Sequence, residues 1–347
     1  MKLLVIRFSA LGDVAMTVPV IDAVARTWPQ AEITVLSRPF VQPLFARMPA
    51  NVRFRGVDLD AYKGLGGLFR LYRELKKENA YEAVADLHDV LRTRVLRFLF
   101  RLGGLRTAHI DKGRKGRKAL VRPEHKIRKQ LPTSFQRYAD VFRRLGLPAE
   151  VHFRSIYEGG QGETRLFADV AGKPDGTDWI GFAPFAAHRG KQLPENTARS
   201  LIRLLARRPG THLFLFGGKA DAPTLEQWAK GLSPVTVVAG KLKLEQELAL
   251  MSHLKLMVSM DSANMHLASL AGTPVVSVWG ATHPLAGFMG WNQRTEWAVQ
   301  TDTLACRPCS IFGNKPCLRG DYACLARLTA EDILYKISLI LNKNNHA

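Results

Sequence analysis

The sequence predicts an α/β protein with two parallel-sheet domains, and three observations support this fold class. Short apolar segments alternate with segments of helical length and spacing through the first 150 residues. Glycine, proline and polar residues then interrupt this alternation between residues 158 and 176. The alternation restarts at Trp179. We therefore expect two Rossmann-like domains, residues 1–160 and 161–347, that face each other across a cleft.

The first domain is predicted to contain five strands and four helices. Strands of a parallel sheet are buried on both faces and read as nearly continuous apolar runs. Such runs occupy residues 3–6, 32–36, 52–57, 83–87 and 105–110. Segments with helical spacing of apolar residues lie between them, at residues 14–27, 65–77, 90–102 and 135–145.

The second domain repeats the pattern. Its predicted strands are residues 179–183, 211–216, 235–238, 255–260 and 274–278. Its predicted helices are residues 197–207, 225–230, 245–253, 263–271 and 330–341. The last helix follows Thr329, a residue type that caps helix N-termini. It is also the element that can pack back toward the N-terminal domain.

The charge of the chain is unusual for a globular protein and is unevenly distributed. The formal net charge is +20, and residues 1–150 hold 29 Lys/Arg against 14 Asp/Glu. An excess of this size predicts an anionic partner such as nucleic acid, a membrane surface or a phosphorylated substrate. No apolar run approaches the roughly 18 residues of a transmembrane helix, and the N-terminus does not resemble a signal peptide. We expect a cytoplasmic protein.

The first motif with chemical content covers residues 2–14. An apolar strand ends in a small-residue turn, and Asp13 follows where a helix should start. Ligands of open α/β sheets bind outside the carboxyl ends of the strands, so Asp13 is placed to face a substrate. The alternative is helix capping, because an acidic residue in the first turn is stabilised by the helix dipole.

The second motif covers residues 256–268, where a strand is followed at once by a helix with Asp261 and Ser262 at its start. The first N–H groups of a helix lack internal partners, so this end can bind a phosphate. His266 lies one turn further and can reach the same ligand. The alternative is that Asp261 or Ser262 only caps the helix and His266 packs inside it.

Two further strand ends carry candidate ligand-binding residues. Lys191 lies in a small-residue loop after the strand at 179–183. A lysine there can neutralise the charge that develops on a diphosphate leaving group, although a solvated surface loop is the alternative. Gly217 and Gly218 follow another strand, where glycine lets the backbone approach a ligand closely.

Together these motifs resemble glycosyltransferase family 9, the ADP-heptose:lipopolysaccharide heptosyltransferases. The segments that carry the resemblance follow the order of the family: Arg7-Phe-Ser-Ala-Leu-Gly-Asp13, Lys191-Gln-Leu-Pro194, Phe216-Gly-Gly218, Asp261-Ser-Ala-Asn-Met-His266 and residues 272–284. The resemblance implies a GT-B fold with two Rossmann-like domains. It also implies an inverting, metal-independent transfer that requires no cofactor and uses ADP-heptose as the donor.

The resemblance also implies roles for individual residues. Asp13 is the general base toward the acceptor hydroxyl, and Lys191 holds the leaving diphosphate. The backbone of Ser262 and Ala263 adds helix-end donors, although many family members have glycine where this chain has Ala263. Alanine suits a close phosphate contact only where its φ is not positive. The rest of the nucleotide-sugar pocket is Gly217, Gly218, Asp221 near the ribose, Asp261 and His266.

A basic segment between residues 91 and 130 has 14 Lys/Arg and two acids. Its densest part is expected to be a loop that contacts a phosphorylated lipid acceptor or an anionic membrane surface. The cations concerned are Arg114, Lys115, Arg117 and Lys118. A mobile solvated loop is one alternative. Nucleic-acid binding is another, and the lack of aromatic residues for base stacking argues against it.

Four cysteines, Cys306, Cys309, Cys317 and Cys324, lie within 19 residues. A C-x-x-C pair is a common start of a zinc site, but the other two cysteines are not paired in this way. A structural zinc ion, two disulfides and free thiols all remain open. Similar clusters in some members of the family indicate local structure and not catalysis.

The function we expect is transfer of a heptose to a lipopolysaccharide inner core of the Kdo-lipid A type. The enzyme would be peripheral at the inner face of the cytoplasmic membrane. Its partners would be the nucleotide sugar, the phosphorylated lipid acceptor and the membrane surface, with no nucleic acid. One alternative is a family member with another nucleotide sugar or acceptor. A nucleotide-sugar epimerase would need two opposed acid–base groups, and a nucleic-acid-binding protein would leave Asp13, Lys191 and His266 unexplained.

Overall fold

The strands of the first half of the chain form one parallel sheet. In the computed structural model, which describes residues 1–343, they are β1 (Lys2–Ile6), β2 (Glu32–Ser37), β3 (Val52–Gly56), β4 (Ala83–Asp86) and β5 (Arg106–His109). The order in the sheet is β3-β2-β1-β4-β5, with all neighbours parallel. The predicted strands are confirmed, and the central position of β1 places residues 7–13 at the middle of the sheet's carboxyl edge.

Six helices occur in this half of the chain: α1 (Leu11–Ala15), α2 (Val18–Thr27), α3 (Gly64–Glu78), α4 (Leu91–Leu102), α5 (Arg114–Val121) and α6 (Ser134–Arg144). The prediction of one helix over residues 14–27 is wrong, because the helix is interrupted between α1 and α2. The Thr17 hydroxyl donates a hydrogen bond back to the Val14 carbonyl at 2.7 Å. Pro19 follows in the first turn of α2 and lacks an N–H, as suits a helix start.

The second half of the chain forms a six-stranded parallel sheet. Its strands are β6 (Asp178–Ala183), β7 (Thr211–Leu215), β8 (Val235–Val237), β9 (Leu256–Met260), β10 (Val275–Trp279) and β11 (Ala298–Gln300), in the order β11-β10-β9-β6-β7-β8. Five of these strands were predicted. The edge strand β11 was not, because three residues are too few to give a strand pattern.

The helices of this half are α7 (Ala168–Ala171), α8 (Glu195–Ala206), α9 (Ala222–Ala229), α10 (Leu244–His253), α11 (Ala263–Leu270), α12 (Ala323–Ala326) and α13 (Ala330–Lys343). The predicted cap of the last helix is confirmed, since the Asp332 N–H donates to the Thr329 hydroxyl at 3.1 Å. The apolar face of α13 completes the core of the six-stranded sheet through Ile333, Ile337 and Ile340.

The chain divides into two compact units that are not continuous in sequence. One unit contains residues 1–112 and 133–156, and the other contains residues 113–132 and the chain from residue 157 onward. This differs from the predicted division at residue 160 in two respects: the segment 113–132 belongs to the second unit, and the later boundary follows residue 156. Among residues 1–343, no helix has the length and apolarity needed to cross a membrane.

Candidate functional site

The carboxyl end of β1 in the first unit carries an ion pair between Arg7 and Asp13. The Arg7 Nη2 lies 2.7 Å from the Asp13 Oδ2, with the arginine side chain 8% exposed and the aspartate side chain 33% exposed. The guanidinium also donates to the carbonyls of Ser9 at 2.8 Å and Leu87 at 2.6 Å. Because Arg7 is fixed at three points, it holds the carboxylate at one place and leaves it open to solvent.

The two oxygens of Asp13 have different surroundings. Oδ2 accepts from Arg7 and from the Ala10 N–H at 3.3 Å, whereas Oδ1 has no hydrogen-bond or ion-pair partner within residues 1–343. The contact to Ala10 is the capping interaction that the alternative interpretation expected, so Asp13 does help to start α1. The capping contact uses one oxygen only, and Oδ1 stays available to accept a proton from a ligand.

His88 borders the same strand end and was not identified from the sequence. Its Nε2 lies 3.5 Å from the Ser9 hydroxyl, and its Nδ1 has no hydrogen-bond partner within the described chain. Burial lowers the pKa of His88 to about 3, and the cations Arg7 and Lys112 add to the effect. The imidazole is therefore neutral at physiological pH. The available signal was its position two residues after β4, which is a neighbour of β1 in the sheet.

In the second unit, Lys191 and Asp261 form an ion pair. The Lys191 Nζ lies 3.5 Å from the Asp261 Oδ2, and the two side chains are 16% and 7% exposed. Lys191 ends the short 3₁₀ turn Arg189–Lys191 after β6, and Asp261 directly follows β9. These strands are neighbours in the sheet, so two residues 70 positions apart meet at its carboxyl edge.

Glycines hold the Lys191 loop against two other segments of the second unit. The Ala281 N–H donates to the Gly190 carbonyl at 2.8 Å. A side chain at Gly280 would place its Cβ 2.5 Å from that same carbonyl oxygen. A Cβ at Gly313, where φ is +74°, would lie 2.5 Å from the Lys191 Cγ. The lysine is thus positioned by close backbone approach, which only glycine allows here.

Helix α11 begins beside this ion pair without a side-chain cap. Ser262 is the N-cap residue, and its hydroxyl makes no capping hydrogen bond; it lies 3.3 Å from the Ser259 hydroxyl instead. Ala263 starts the helix and has no positive φ, so the condition for a close phosphate contact at that position is met. His266 is buried one turn further. The first N–H groups of α11 are free of side-chain caps and can bind an anion.

The glycine pair after β7 forms a turn with Asp221. The Gly218 N–H donates to the Asp221 Oδ2 at 2.8 Å, and the Asp221 N–H donates to the Gly218 carbonyl at 2.9 Å. A Cβ at Gly217 would lie 3.0 Å from the Asp221 Cβ. The three residues that the resemblance assigns to the nucleotide-sugar pocket thus lie in one turn, which engages one oxygen of the Asp221 carboxylate.

Helix α10 carries a carboxylate that the sequence did not single out. Burial alone raises the pKa of Glu247 to about 7, so this side chain is partly protonated at neutral pH. Carboxylic acids with pKa values in this range are frequent near binding sites, and they are also found in purely structural positions.

The densest basic segment is a helix and not the predicted loop. Gly113, with φ of +60°, precedes α5, and the Arg117 guanidinium lies 4.9 Å from the Phe288 ring centre and 5.7 Å from that of Phe312. The Arg128 guanidinium donates to carbonyls of residues 304, 305 and 307. The segment is therefore docked within the second unit, which excludes the mobile-loop alternative for Arg117. Arg114, Lys115 and Lys118 are exposed.

The four cysteines line one small cavity of about 10 Å³, together with Arg307 and Tyr322. All four are free thiols, so the disulfide alternative is not realised. Burial raises the pKa of Cys324 to about 11, so its thiol stays protonated. Within residues 1–343, no group of three or more His, Cys, Asp or Glu side chains is placed to hold a metal ion.

Comparison with known proteins identifies heptosyltransferases among the relatives of this chain. Residues 68–312 match the sequence model of glycosyltransferase family 9 (heptosyltransferase). The lipopolysaccharide heptosyltransferase 3 of Escherichia coli is 25% identical over 280 residues, which are 78% of this chain and 81% of the relative. The lipooligosaccharide heptosyltransferase 2 of Haemophilus ducreyi is 26% identical over 303 residues, which are 82% of this chain and 84% of the relative.

Solved structures confirm the predicted fold. The ADP-heptose lipopolysaccharide heptosyltransferase II of Escherichia coli matches with a TM-score of 0.73 at 20% identity, covering 99% of this chain and 100% of that one. An Escherichia coli heptosyltransferase solved with ADP matches with a TM-score of 0.69 at 21% identity, covering 98% and 100%. The fold is the GT-B type with two Rossmann-like domains. By its sequence motifs and by the match over residues 68–312, this chain belongs to glycosyltransferase family 9, the heptosyltransferases.

Proposed function

We propose that this enzyme transfers a heptose from ADP-heptose to the inner core of a lipopolysaccharide of the Kdo-lipid A type. The transfer inverts the anomeric centre and requires no metal ion. The observation that carries the proposal is the Asp13 carboxylate, held by Arg7 through Oδ2 with Oδ1 unpartnered within residues 1–343. The names of the relatives supply the donor and the acceptor class, which the side chains alone do not identify.

Asp13 serves as the general base. Its Oδ1 accepts the proton of the acceptor hydroxyl while the hydroxyl oxygen forms a bond to the anomeric carbon. The bond from that carbon to the diphosphate oxygen breaks at the same time, and ADP leaves with the electron pair. Attack on the face opposite the leaving group inverts the configuration. A base positioned in this way contributes about 10²- to 10⁴-fold to the rate.

The second unit holds the donor. Lys191 neutralises the charge that develops on the departing diphosphate, and the first N–H groups of α11, at Ser262 and Ala263, donate to its oxygens. The ion pair to Asp261 holds the Lys191 ammonium in place and keeps it from pairing with other acceptors. These groups supply the positive charge that the leaving group needs, so the proposed mechanism uses no metal ion.

The other predicted pocket residues take supporting roles. Asp221, held in its turn by the Gly218 N–H, contacts the ribose, and Gly217 and Gly218 leave space for the backbone to approach the nucleotide. His266 lines the same pocket from inside α11.

The exposed cations of α5 contact the acceptor. Arg114, Lys115 and Lys118 bind phosphate groups of the lipid-linked oligosaccharide, whereas Arg117 is occupied by its contact with Phe288 and Phe312. We place the enzyme in the cytoplasm, peripheral at the inner face of the membrane, where such an acceptor is presented. Nucleic acid has no part in this proposal.

The direct test is sugar transfer by the purified protein. ADP-heptose and a detergent-dispersed Kdo-lipid A acceptor are expected to give released ADP and a product heavier by one heptose, measured by mass spectrometry. Parallel reactions with GDP- and UDP-sugars test the donor. Transfer from one of these with none from ADP-heptose would reject the donor assignment, and epimerised sugar in the absence of acceptor would reject transfer altogether.

A further inference from the structure

Half of the exposed large apolar side chains of residues 1–343 lie on two consecutive helices of the first unit. Ten such side chains are exposed, and five of them belong to α3 and α4, with exposed fractions between 49% and 79%. The five are Leu65, Phe69, Leu91, Phe98 and Leu102. Single exposed apolar residues need no explanation, but a concentration on neighbouring helices indicates an interaction surface.

Helices α3 and α4 lie side by side on one face of the five-stranded sheet. Their inward residues, such as Leu71 and Phe100, pack in the same core with Leu4 and Ile6 of β1. The Tyr72 ring of α3 lies 4.9 Å from the Phe100 ring of α4. Because both helices bury one side against the same sheet face, their exposed side chains point away from it together. We call this outer side the α3–α4 face.

The exposed positions of α4 follow a single helical stripe. They are Leu91, Arg94, Phe98, Arg101 and Leu102, whereas the inward positions Thr93, Leu96 and Phe100 are buried. A stripe at this spacing lies along one side of the helix. On an ordinary solvated helix that side carries polar residues and charges of both signs. Here it carries three large apolar side chains and two arginines.

The charge of the α3–α4 face is strongly positive. The two helices contain eight Lys/Arg and two Glu, and α4 has four arginines and no acid. A groove of about 400 Å³ beside α4 is lined by Arg94, Arg97, Arg101 and Arg144. The Arg101 guanidinium makes no ion pair or hydrogen bond within the described residues, so it is available to an anion.

Three acids form ion pairs with arginines that line this groove and partly neutralise their charge. Asp89 pairs with Arg94 at 2.8 Å, Asp86 with Arg97 at 2.7 Å and Asp140 with Arg144 at 2.9 Å. These pairs hold three of the four guanidiniums in place along the groove. The remaining positive charge of the α3–α4 face comes from Arg92 and Arg101 of α4 and from the Lys/Arg of α3.

We propose that the α3–α4 face docks on an anionic phospholipid bilayer. Leu65, Phe69, Leu91, Phe98 and Leu102 insert at the headgroup level, and the arginines of α4 contact lipid phosphates. Arginine combined with Phe and Leu on the outer side of a helix is the composition of membrane-surface helices. The inference rests on the proposed function in one respect, that a lipid-linked acceptor is met at a membrane surface.

Charge favours a bilayer over a second copy of the chain as the occupant. A two-fold symmetric contact would bring this face against itself, and the excess of cations on α3 and α4 would meet the same excess on the other copy. An anionic bilayer complements both features at once. Small soluble phosphates would complement the arginines only and would leave the five apolar side chains in water.

The test is co-sedimentation of the full chain with vesicles, without donor or acceptor. The wild type should bind phosphatidylcholine vesicles that contain phosphatidylglycerol, bind pure phosphatidylcholine weakly, and lose binding as salt rises. Phe98→Ser with Leu102→Ser, and separately Arg94→Gln with Arg101→Gln, should each lower the partition coefficient about tenfold or more. Tyr335→Ser with Arg327→Gln, exposed residues of the second unit, should leave it unchanged.

Three results would overturn the docking surface. The first is equal vesicle binding by the wild type and both α4 variants. The second is no vesicle binding together with a dimer that the α4 variants dissociate, which would identify a second copy as the occupant. The third is no vesicle binding together with inorganic phosphate binding that Arg101→Gln abolishes. Circular dichroism of each variant checks that it is folded.

This readout separates the inference from the proposed function. Vesicle binding without heptose transfer would leave the docking surface standing and remove the function. Transfer to detergent-dispersed acceptor without vesicle binding by the wild type would support the proposed function and reject the docking surface.

Discussion

The two units each carry an aspartate–cation pair at the carboxyl edge of a sheet, and the pairs expose opposite partners. In the first unit Arg7 is buried and Asp13 is the more exposed member. In the second unit Asp261 is the more buried member and Lys191 reaches further out. An ion pair between an aspartate and a basic residue can therefore present either a proton acceptor or a cation to solvent, depending on which of the two side chains is buried.

This difference follows from what surrounds each pair. Backbone carbonyls of Ser9 and Leu87 enclose Arg7, which leaves its aspartate partner facing outward. Asp261 directly follows the fully buried strand β9, and glycine contacts keep the Lys191 stem close to the backbone of Gly313. The first arrangement suits a base, and the second suits a group that receives phosphate.

The largest expected effect comes from removing the exposed carboxylate. Asp13→Asn keeps the size of the side chain and an acceptor for Arg7 but removes the proton acceptor. We expect turnover to fall at least a hundredfold, within the range of about 10²- to 10⁴-fold for a general base. ADP affinity should be unchanged, because Lys191 and α11 are untouched. Steady-state kinetics and calorimetric titration with ADP measure the two quantities.

A matched control for this variant is Asp60→Asn, an exposed carboxylate of the same unit. It should retain wild-type turnover. Near-normal turnover of Asp13→Asn would remove Asp13 as the base, and the contrast between the two ion pairs would then have no catalytic meaning.

A smaller effect is expected from removing the cation of the second pair. Lys191→Gln should weaken ADP binding and slow transfer together, by about tenfold to a hundredfold, because the lysine charge stabilises the diphosphate in both the bound and the departing state. Lys230→Gln, at an exposed lysine of the same unit, serves as the control and should change neither. Unchanged ADP affinity and rate in Lys191→Gln would contradict its phosphate role.

The smallest effect concerns Glu247, a carboxylate of the second unit whose pKa burial raises to about 7. The folded state then binds more protons than the unfolded state between about pH 4.5 and 7, so this group's contribution to stability is lost as pH rises through that window. Glu247→Gln should therefore raise the free energy of unfolding by about 1–3 kcal/mol at pH 8 and change it little at pH 4.5.

Denaturant unfolding at the two pH values tests this expectation. Glu245→Gln, at an exposed carboxylate of the same helix, should show no such pH dependence. A gain of equal size at both pH values for Glu247→Gln would mean that the side chain is not held neutral by burial.

Most of the fold could be predicted because alternation of apolar strands and amphipathic helices is a local property of the sequence. The errors occur where the deciding contact is distant or the element is short. The α5 helix was predicted as a loop because Phe288 and Phe312, whose rings the Arg117 guanidinium contacts, lie 171 and 195 residues further along the chain. The three residues of β11 gave no pattern of their own.

The candidate site was predictable in its positions and not in its pairings. Asp13 and Lys191 stand out because each follows a strand at the edge where ligands bind. The two ion pairs do not: Arg7 reads as part of a strand end, and Asp261, although it also follows a strand, lies 70 residues from Lys191. His88 gave only a weak signal because its low pKa arises from burial and from cations that the fold brings to it.

The placement of the segment 113–132 in the second unit also affects the order in which the two units can fold during synthesis. The chain passes from one unit to the other at three points, after residues 112, 132 and 156. During synthesis, α5 leaves the ribosome well before Phe288 and Phe312 exist. The first unit can fold once residues 133–156 have emerged, whereas α5 cannot pack until its partners in the second unit have been synthesised. If the two halves were expressed as separate polypeptides divided near residue 160, α5 would therefore be on the N-terminal polypeptide, although it packs in the second unit.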